Sequence, residues 1–193
     1  MEAFFKEIGT KIEKAVAKDA MKILKETGDE KVYAAALVTD SDCITLYFAL
    51  NTYESMKKKD EYYIELLKDD LTEEEIDEVK KGTKSFTKWI PDEWEYSDGK
   101  TSEFVEVSRL LFEKEAVDAA AYEKYKALFF ETVTSAFRNA IEAKVFGKYS
   151  DEITYFISIS DDERTTEIEN YSAKLLNSDK LCEEFVNRTE NEM

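Results

Sequence analysis

The sequence predicts a mixed α/β chain of the α+β kind: a small central sheet with an antiparallel hairpin and at least one further strand, packed by several helices. Three observations carry that expectation. Two adjacent runs, KVYAAALVTD and CITLYFALN, are dense in apolar and β-branched residues. A third, ITYFISIS, lies about a hundred residues downstream, and the stretches between repeat their apolar residues at helical spacing.

Phe4, Phe5, Ile8, Ile12, Ala15, Val16, Ile23 and Leu24 fall mostly at three- and four-residue steps, which describes an amphipathic helix running to about Thr27, with Gly28 as its stop. Asp40, Ser41 and Asp42 favour a turn between the first two apolar runs, making them a hairpin. Because both runs are apolar at nearly every position, both are expected to lie centrally in the sheet with helices on each face. From Asn51 the pattern turns helical, with Met56, Ile64 and Leu67 on one stripe. Thr72 followed by Glu75 is a capping box opening another helix, which Gly82 closes. A helix is expected between Phe104 and Phe112, and a longer one through Tyr125, Phe129, Val133, Phe137 and Ile141 to Gly147. Ile153 to Ser160 is the third strand, and a last helical region from about Glu163 to Arg188 breaks near Asn177 and Ser178.

At 193 residues the expectation is one domain, residues 1–193, and 43% hydrophobic content is far too high for a disordered chain. The chain has no histidine, which removes imidazole-based nucleophile pairs and imidazole metal sites. Its net charge of −17 argues against nucleic acid, whose phosphates demand a basic surface, and against an anionic membrane. The same field attracts a protein with a basic surface, although high charge also serves plain solubility. The first residues have no continuous apolar core, so neither a signal peptide nor a membrane span is expected, and the location is read as cytoplasmic. Cys43 and Cys182 form no CxxC and read as two buried free thiols. With five glycines and no phosphate-loop pattern, no cofactor is expected.

Two constellations could carry function. The segment from Trp89 to Tyr96 holds both tryptophans and the only proline. Its plain reading is a short helix opened by Pro91, complemented by Asp92 and Glu93, and pinned to the core by the tryptophans. Its functional reading is an aromatic-walled pocket with Glu93 as its polar group, or an interface anchor at Trp89 or Trp94. Acidic surface for a basic partner is found from Asp69 to Glu78, seven acids without a base, and from Asp151 to Met193, twelve acids against four bases; Glu73, Glu74, Asp77 and Glu78, or the acids of the C-terminal segment, would steer association. The second constellation is Asp40 and Asp42 after the first strand with Asp161 and Asp162 after the third. If those strand ends are neighbours, the carboxylates converge as oxygen ligands for Mg²⁺ or Mn²⁺; acids at strand ends are also ordinary turn formers.

WIPDEWEY, preceded by YAAALVTDSDCITLYFALNTYE and followed by YFISISDD, resembles a bacterial family classed as domain of unknown function 4303, and the resemblance covers nearly the whole chain. It implies a one-domain bacterial protein and brings no catalytic residues with it. By analogy with small acidic families, the leading expectation is a non-enzymatic protein-binding module, such as an immunity-type inhibitor of a basic toxin. The alternatives are a metal-dependent enzyme using carboxylates alone and a small-ligand-binding protein.

Overall fold

A computed structural model describes residues 1–97, 102–114 and 118–190. Helix α1 (Glu2–Thr27) leads into strands β1 (Val32–Thr39) and β2 (Tyr47–Thr52). Helices α2 (Tyr53–Leu67), α3 (Glu73–Lys81), α4 (Val105–Glu113) and α5 (Ala119–Glu142) follow. Strand β3 (Thr154–Ile159) and helices α6 (Thr165–Leu176) and α7 (Asp179–Val186) complete the order. The sheet runs β2-β1-β3, with β2 antiparallel and β3 parallel to β1. This is the α+β architecture expected.

Every residue of β1 is buried, because helices cover the sheet on both sides. In register, Ala36 stands between Ala49 of β2 and Phe156 of β3, while Leu37 stands between Phe48 and Ile157. Strand alternation then sends the two sets to opposite faces. Leu37, Phe48, Leu50, Tyr155 and Ile157 pack with α1, α4 and α5. Ala34, Ala36 and Ala49 face the other way, and their small side chains leave room for Trp94, Phe156 and Phe185. Helices α1 and α5 meet closely at Gly9, where a Cβ would stand 3.2 Å from Thr132 Cγ2.

Side chains close the edges of this sheet. Asn177 accepts from the Tyr155 N–H at 2.8 Å and donates to its carbonyl at 2.6 Å; Ser172 Oγ accepts from the Ile157 N–H at 2.8 Å. Helix α6 thus saturates the free edge of β3 in place of a fourth strand, which removes a template for edge-to-edge pairing. On the other side, Tyr96 forms a single bridge to Leu50, and Ser108 Oγ bonds both the N–H and the carbonyl of Leu46. Asn177→Ala is therefore expected to lower stability by about 2 kcal/mol in urea titration, since it strands two backbone groups at once. A loss under about 0.5 kcal/mol, the size of an ordinary surface substitution, would show that water replaces the amide at no cost.

Three details depart from expectation. Strand β2 lies at the sheet edge and is not central; its apolar run is buried by α1 and by the Tyr96 segment, not by another full strand. Helix α5 ends at Glu142, ahead of Gly147, because Lys144 turns to φ 57°. Of the two thiols, Cys43 is buried as expected, whereas Cys182 is half-buried. The capping box stands as predicted: Thr72 Oγ1 accepts from the Glu75 N–H at 3.2 Å, the Glu75 carboxylate accepts from the Thr72 N–H at 2.8 Å, and Gly82 closes α3 at φ 74°.

Candidate functional site

The tryptophan segment is held by one buried acid. Asp60 of α2 accepts from the Phe86 N–H at 3.0 Å and from Thr87 Oγ1 at 3.2 Å. Burial pushes its carboxyl up from the usual range, and the bonds from Ser85, Phe86 and Thr87 pull it back. The turn so fixed points the Thr87 and Lys88 carbonyls inward, where they accept from the Trp94 indole N–H at 3.1 and 3.2 Å. Tyr33 Oη donates to the same Lys88 carbonyl at 2.6 Å. Pro91 opens a 3₁₀ turn, Pro91–Glu93, as expected.

The two tryptophans consequently have different fates. Trp94 is 3% exposed and belongs to the core. Trp89 is half-buried. Its ring meets Phe185 edge-on at 5.0 Å and Tyr33 at 5.7 Å, which fixes its orientation.

Trp89 lines a cleft of about 740 Å³ together with Tyr33, Tyr53 and Leu181. Four carboxylates, Asp151, Glu152, Glu183 and Glu184, stand around it against Lys88 and Lys180. The Tyr33 and Tyr53 rings lie 4.8 Å apart, and burial, aided by the nearby Glu184 charge, pushes the Tyr53 phenol up. The cleft thus sets aromatic side chains beside four carboxylates and two lysines.

Glu93 lies elsewhere, in a smaller depression of about 430 Å³ with Trp94, Tyr96 and Glu30. Hydrogen bonding by Tyr63 holds its carboxyl below the usual range, and Lys59 pairs with it at 3.1 Å. Of the α3 acids, Asp77 pairs with Lys81 at 2.8 Å and Glu78 with Lys84 at 2.7 Å, while Glu73 and Glu74 stand exposed in the first turn. None of these four lines the Trp89 cleft.

The strand-end carboxylates do become neighbours. Thr39 pairs with Ile159 across parallel β1 and β3, so Asp40 and Asp161 leave adjacent ends. Yet each side chain whose contacts are defined is engaged by its own loop or by helix α5. Asp40 accepts from the N–H groups of Asp42 at 2.8 Å and Thr45 at 2.7 Å; Asp42 accepts from Tyr122 Oη at 3.0 Å. Asp162 holds Arg164 at 3.2 Å and lies 4.0 Å from Lys126, and the Arg164 bond keeps its carboxyl low. Among the described residues, no group of three or more Asp, Glu or Cys side chains is disposed to hold a metal ion.

Sequence reasoning missed Asp60, whereas the acids of α7 fall within the acid-rich stretch from Asp151 to Met193 that it offers as a docking surface. Asp60 carried a signal, a charge at the i+4 step from Met56 on the apolar stripe of α2. The acid excess around α7 was visible, but nothing in the sequence ties Glu183 and Glu184 to the Trp89 turn, which they meet only in the fold.

A family model described as a domain of unknown function, DUF4303, matches residues 12–178. The chain belongs to this family. No curated protein and no solved structure matches it. The DUF4303 stretch takes in all three strands, Asp60 and the Trp89 turn, while α7, the cleft wall carrying Leu181, Glu183 and Glu184, lies outside it. No helix among the described residues is long and apolar enough to cross a membrane.

Proposed function

We propose that the protein acts by binding another protein that presents a basic surface, in the manner of an immunity-type inhibitor covering a basic toxin. The observation that carries this reading is the cleft at Trp89: a half-exposed, rigidly held indole ringed by four carboxylates, in a chain of net charge −17. Aromatic side chains held in place at a surface supply binding energy at little entropic cost, and the acidic field raises the rate of encounter. Glu73 and Glu74, exposed at the tip of α3, add to the long-range field without lining the cleft. A metal-dependent role has less support, since Asp40, Asp42 and Asp162 are engaged by N–H, hydroxyl and guanidinium donors.

Affinity capture from a lysate of the source organism, eluted by a salt step and identified by mass spectrometry, tests the reading. A strongly basic protein is expected. Its association rate with the purified chain should fall roughly tenfold between about 50 and 500 mM salt, and Trp89→Ala should speed its dissociation. An association rate indifferent to salt would defeat the electrostatic part of the reading. Capture of nothing basic would defeat the whole.

A further inference from the structure

The chain already places its own cations on both aromatic walls of the cleft. Lys88 Nζ lies 4.8 Å from the centre of the Trp89 ring, and Lys31 Nζ lies 5.6 Å from that of Tyr53. Lys31 is also 3.9 Å from Glu152 Oε2. These are the distances at which a π-face attracts a positive charge. Lys88 is part of the cleft lining and Lys31 is not, and a volume of about 740 Å³ remains beside these side chains.

The carboxylates differ in how far they are committed. Asp151 is bound to Lys144 at 2.6 Å. Glu184 has only a loose, exposed contact with Lys180 at 3.9 Å, and Glu183 has no ion pair among the described residues. The two least committed acids are therefore consecutive on α7, whose Phe185 holds the Trp89 ring edge-on at 5.0 Å.

A flat aromatic face beside uncommitted carboxylates suits a guanidinium better than an ammonium. The guanidinium is planar, stacks while keeping its in-plane N–H groups directed at carboxylate oxygens, and sheds water more readily. We infer that the Trp89 cleft receives an arginine side chain of the partner, stacked on the Trp89 indole and paired with Glu183 or Glu184. This assignment rests on the reading of the protein as a binder of a basic partner and names the group that reading left open.

The test uses the full chain labelled with ¹⁵N and two capped tripeptides, Gly-Arg-Gly and Gly-Lys-Gly, followed through the tryptophan indole N–H resonances. The arginine peptide is expected to shift the Trp89 resonance saturably and leave Trp94 in place, with affinity at least about threefold above the lysine peptide. Glu183→Gln with Glu184→Gln, both at exposed positions, should weaken it roughly fivefold or more, and Lys88→Gln should tighten it by removing the resident cation. Trp89→Leu should abolish it; because Trp89 also packs on Phe185, the exposed Glu variants decide the outcome if that chain misfolds. Equal affinity for the two peptides, a silent Trp89 resonance, or indifference to the Glu183 and Glu184 changes would overturn the assignment. If a basic partner is still captured in a salt-dependent way while Trp89 stays silent, the cleft assignment fails and the binding function stands. If neither partner nor peptide binds, both fail.

Discussion

Replacing Arg188 by alanine is expected to cost about 3–5 kcal/mol of folding stability at neutral pH, the largest effect of any single substitution proposed for this chain. Arg188 and Glu169 are each 6% exposed, and Arg188 Nη2 meets Glu169 Oε2 at 2.7 Å. Nη1 is spent on Asn170 Oδ1 at 2.6 Å and the Phe185 carbonyl at 2.8 Å, and the guanidinium carbon lies 3.9 Å from the centre of the Phe185 ring. The other Glu169 oxygen accepts from Ser158 Oγ at 2.6 Å. Burial pushes the Glu169 carboxyl up, while Ser158 and Arg188 hold it down. Without the guanidinium a carboxylate remains in a dry site, and the folded chain must either bear the charge or take up a proton. The loss should accordingly be greatest near pH 7 and shrink as the pH falls and protonation removes the charge.

The same contacts fasten α7 to α6 and β3, so Arg188→Ala should also raise amide exchange across Asp179–Val186 and release the Trp89 ring from Phe185. Equilibrium unfolding in urea, with exchange read by mass spectrometry, measures both effects. A loss under about 1 kcal/mol would mean that the pair contributes no more than an exposed one. Replacing both members, Glu169→Leu with Arg188→Met, should recover much of the loss, because a pair of apolar residues leaves no orphaned charge.

How far the sequence could be read follows from what kind of signal each feature leaves. Helix α3 was fully legible, since Thr72, Glu75 and Gly82 act within a few residues of one another. The three strands were legible from their apolar runs, but the edge position of β2 was not. Burial of Phe48 and Leu50 reads the same whether a strand or a helix supplies the cover, and Ser108 and Asn177, which close the sheet edges, are ordinary polar residues until the chain folds. At the tryptophan segment, Pro91 and its turn were legible because proline fixes φ locally. Which indole would remain accessible was not, because it depends on carbonyls presented to Trp94 by a turn that Asp60 ties from another helix. The acids of α7 join the cleft because Phe185 packs on Phe156 of β3 and Arg188 pairs with Glu169 of α6, contacts between separate elements that leave no local pattern.

Asp19 provides the second large effect, of opposite sign. It lies on α1, 1% exposed, and among the described residues its Oδ2 has no hydrogen-bond partner. Burial is the main cause that raises its pKa from 3.8 to about 6; the Glu103 charge adds to the rise, while the Glu103 N–H, Lys22 and Lys18 oppose it. A carboxyl whose pKa is higher in the folded chain binds its proton more tightly there. Folding is therefore penalised above pH 6, and the penalty disappears as the pH falls from 6 toward 4. The full difference is worth roughly 3 kcal/mol, and the neutral, isosteric Asp19→Asn should recover about 2 kcal/mol of it at pH 7. Relief of the −17 net charge in acid also favours the folded chain, but that contribution is nearly the same in both proteins and cancels in their difference. Urea unfolding of the two chains from pH 4 to 8 should show the variant ahead at neutral pH and the gap closing between 6 and 4. A gap that stays constant with pH would mean that the gain comes from something other than Asp19 ionisation, and a variant less stable at pH 7 would mean that the buried carboxylate is held by a favourable contact.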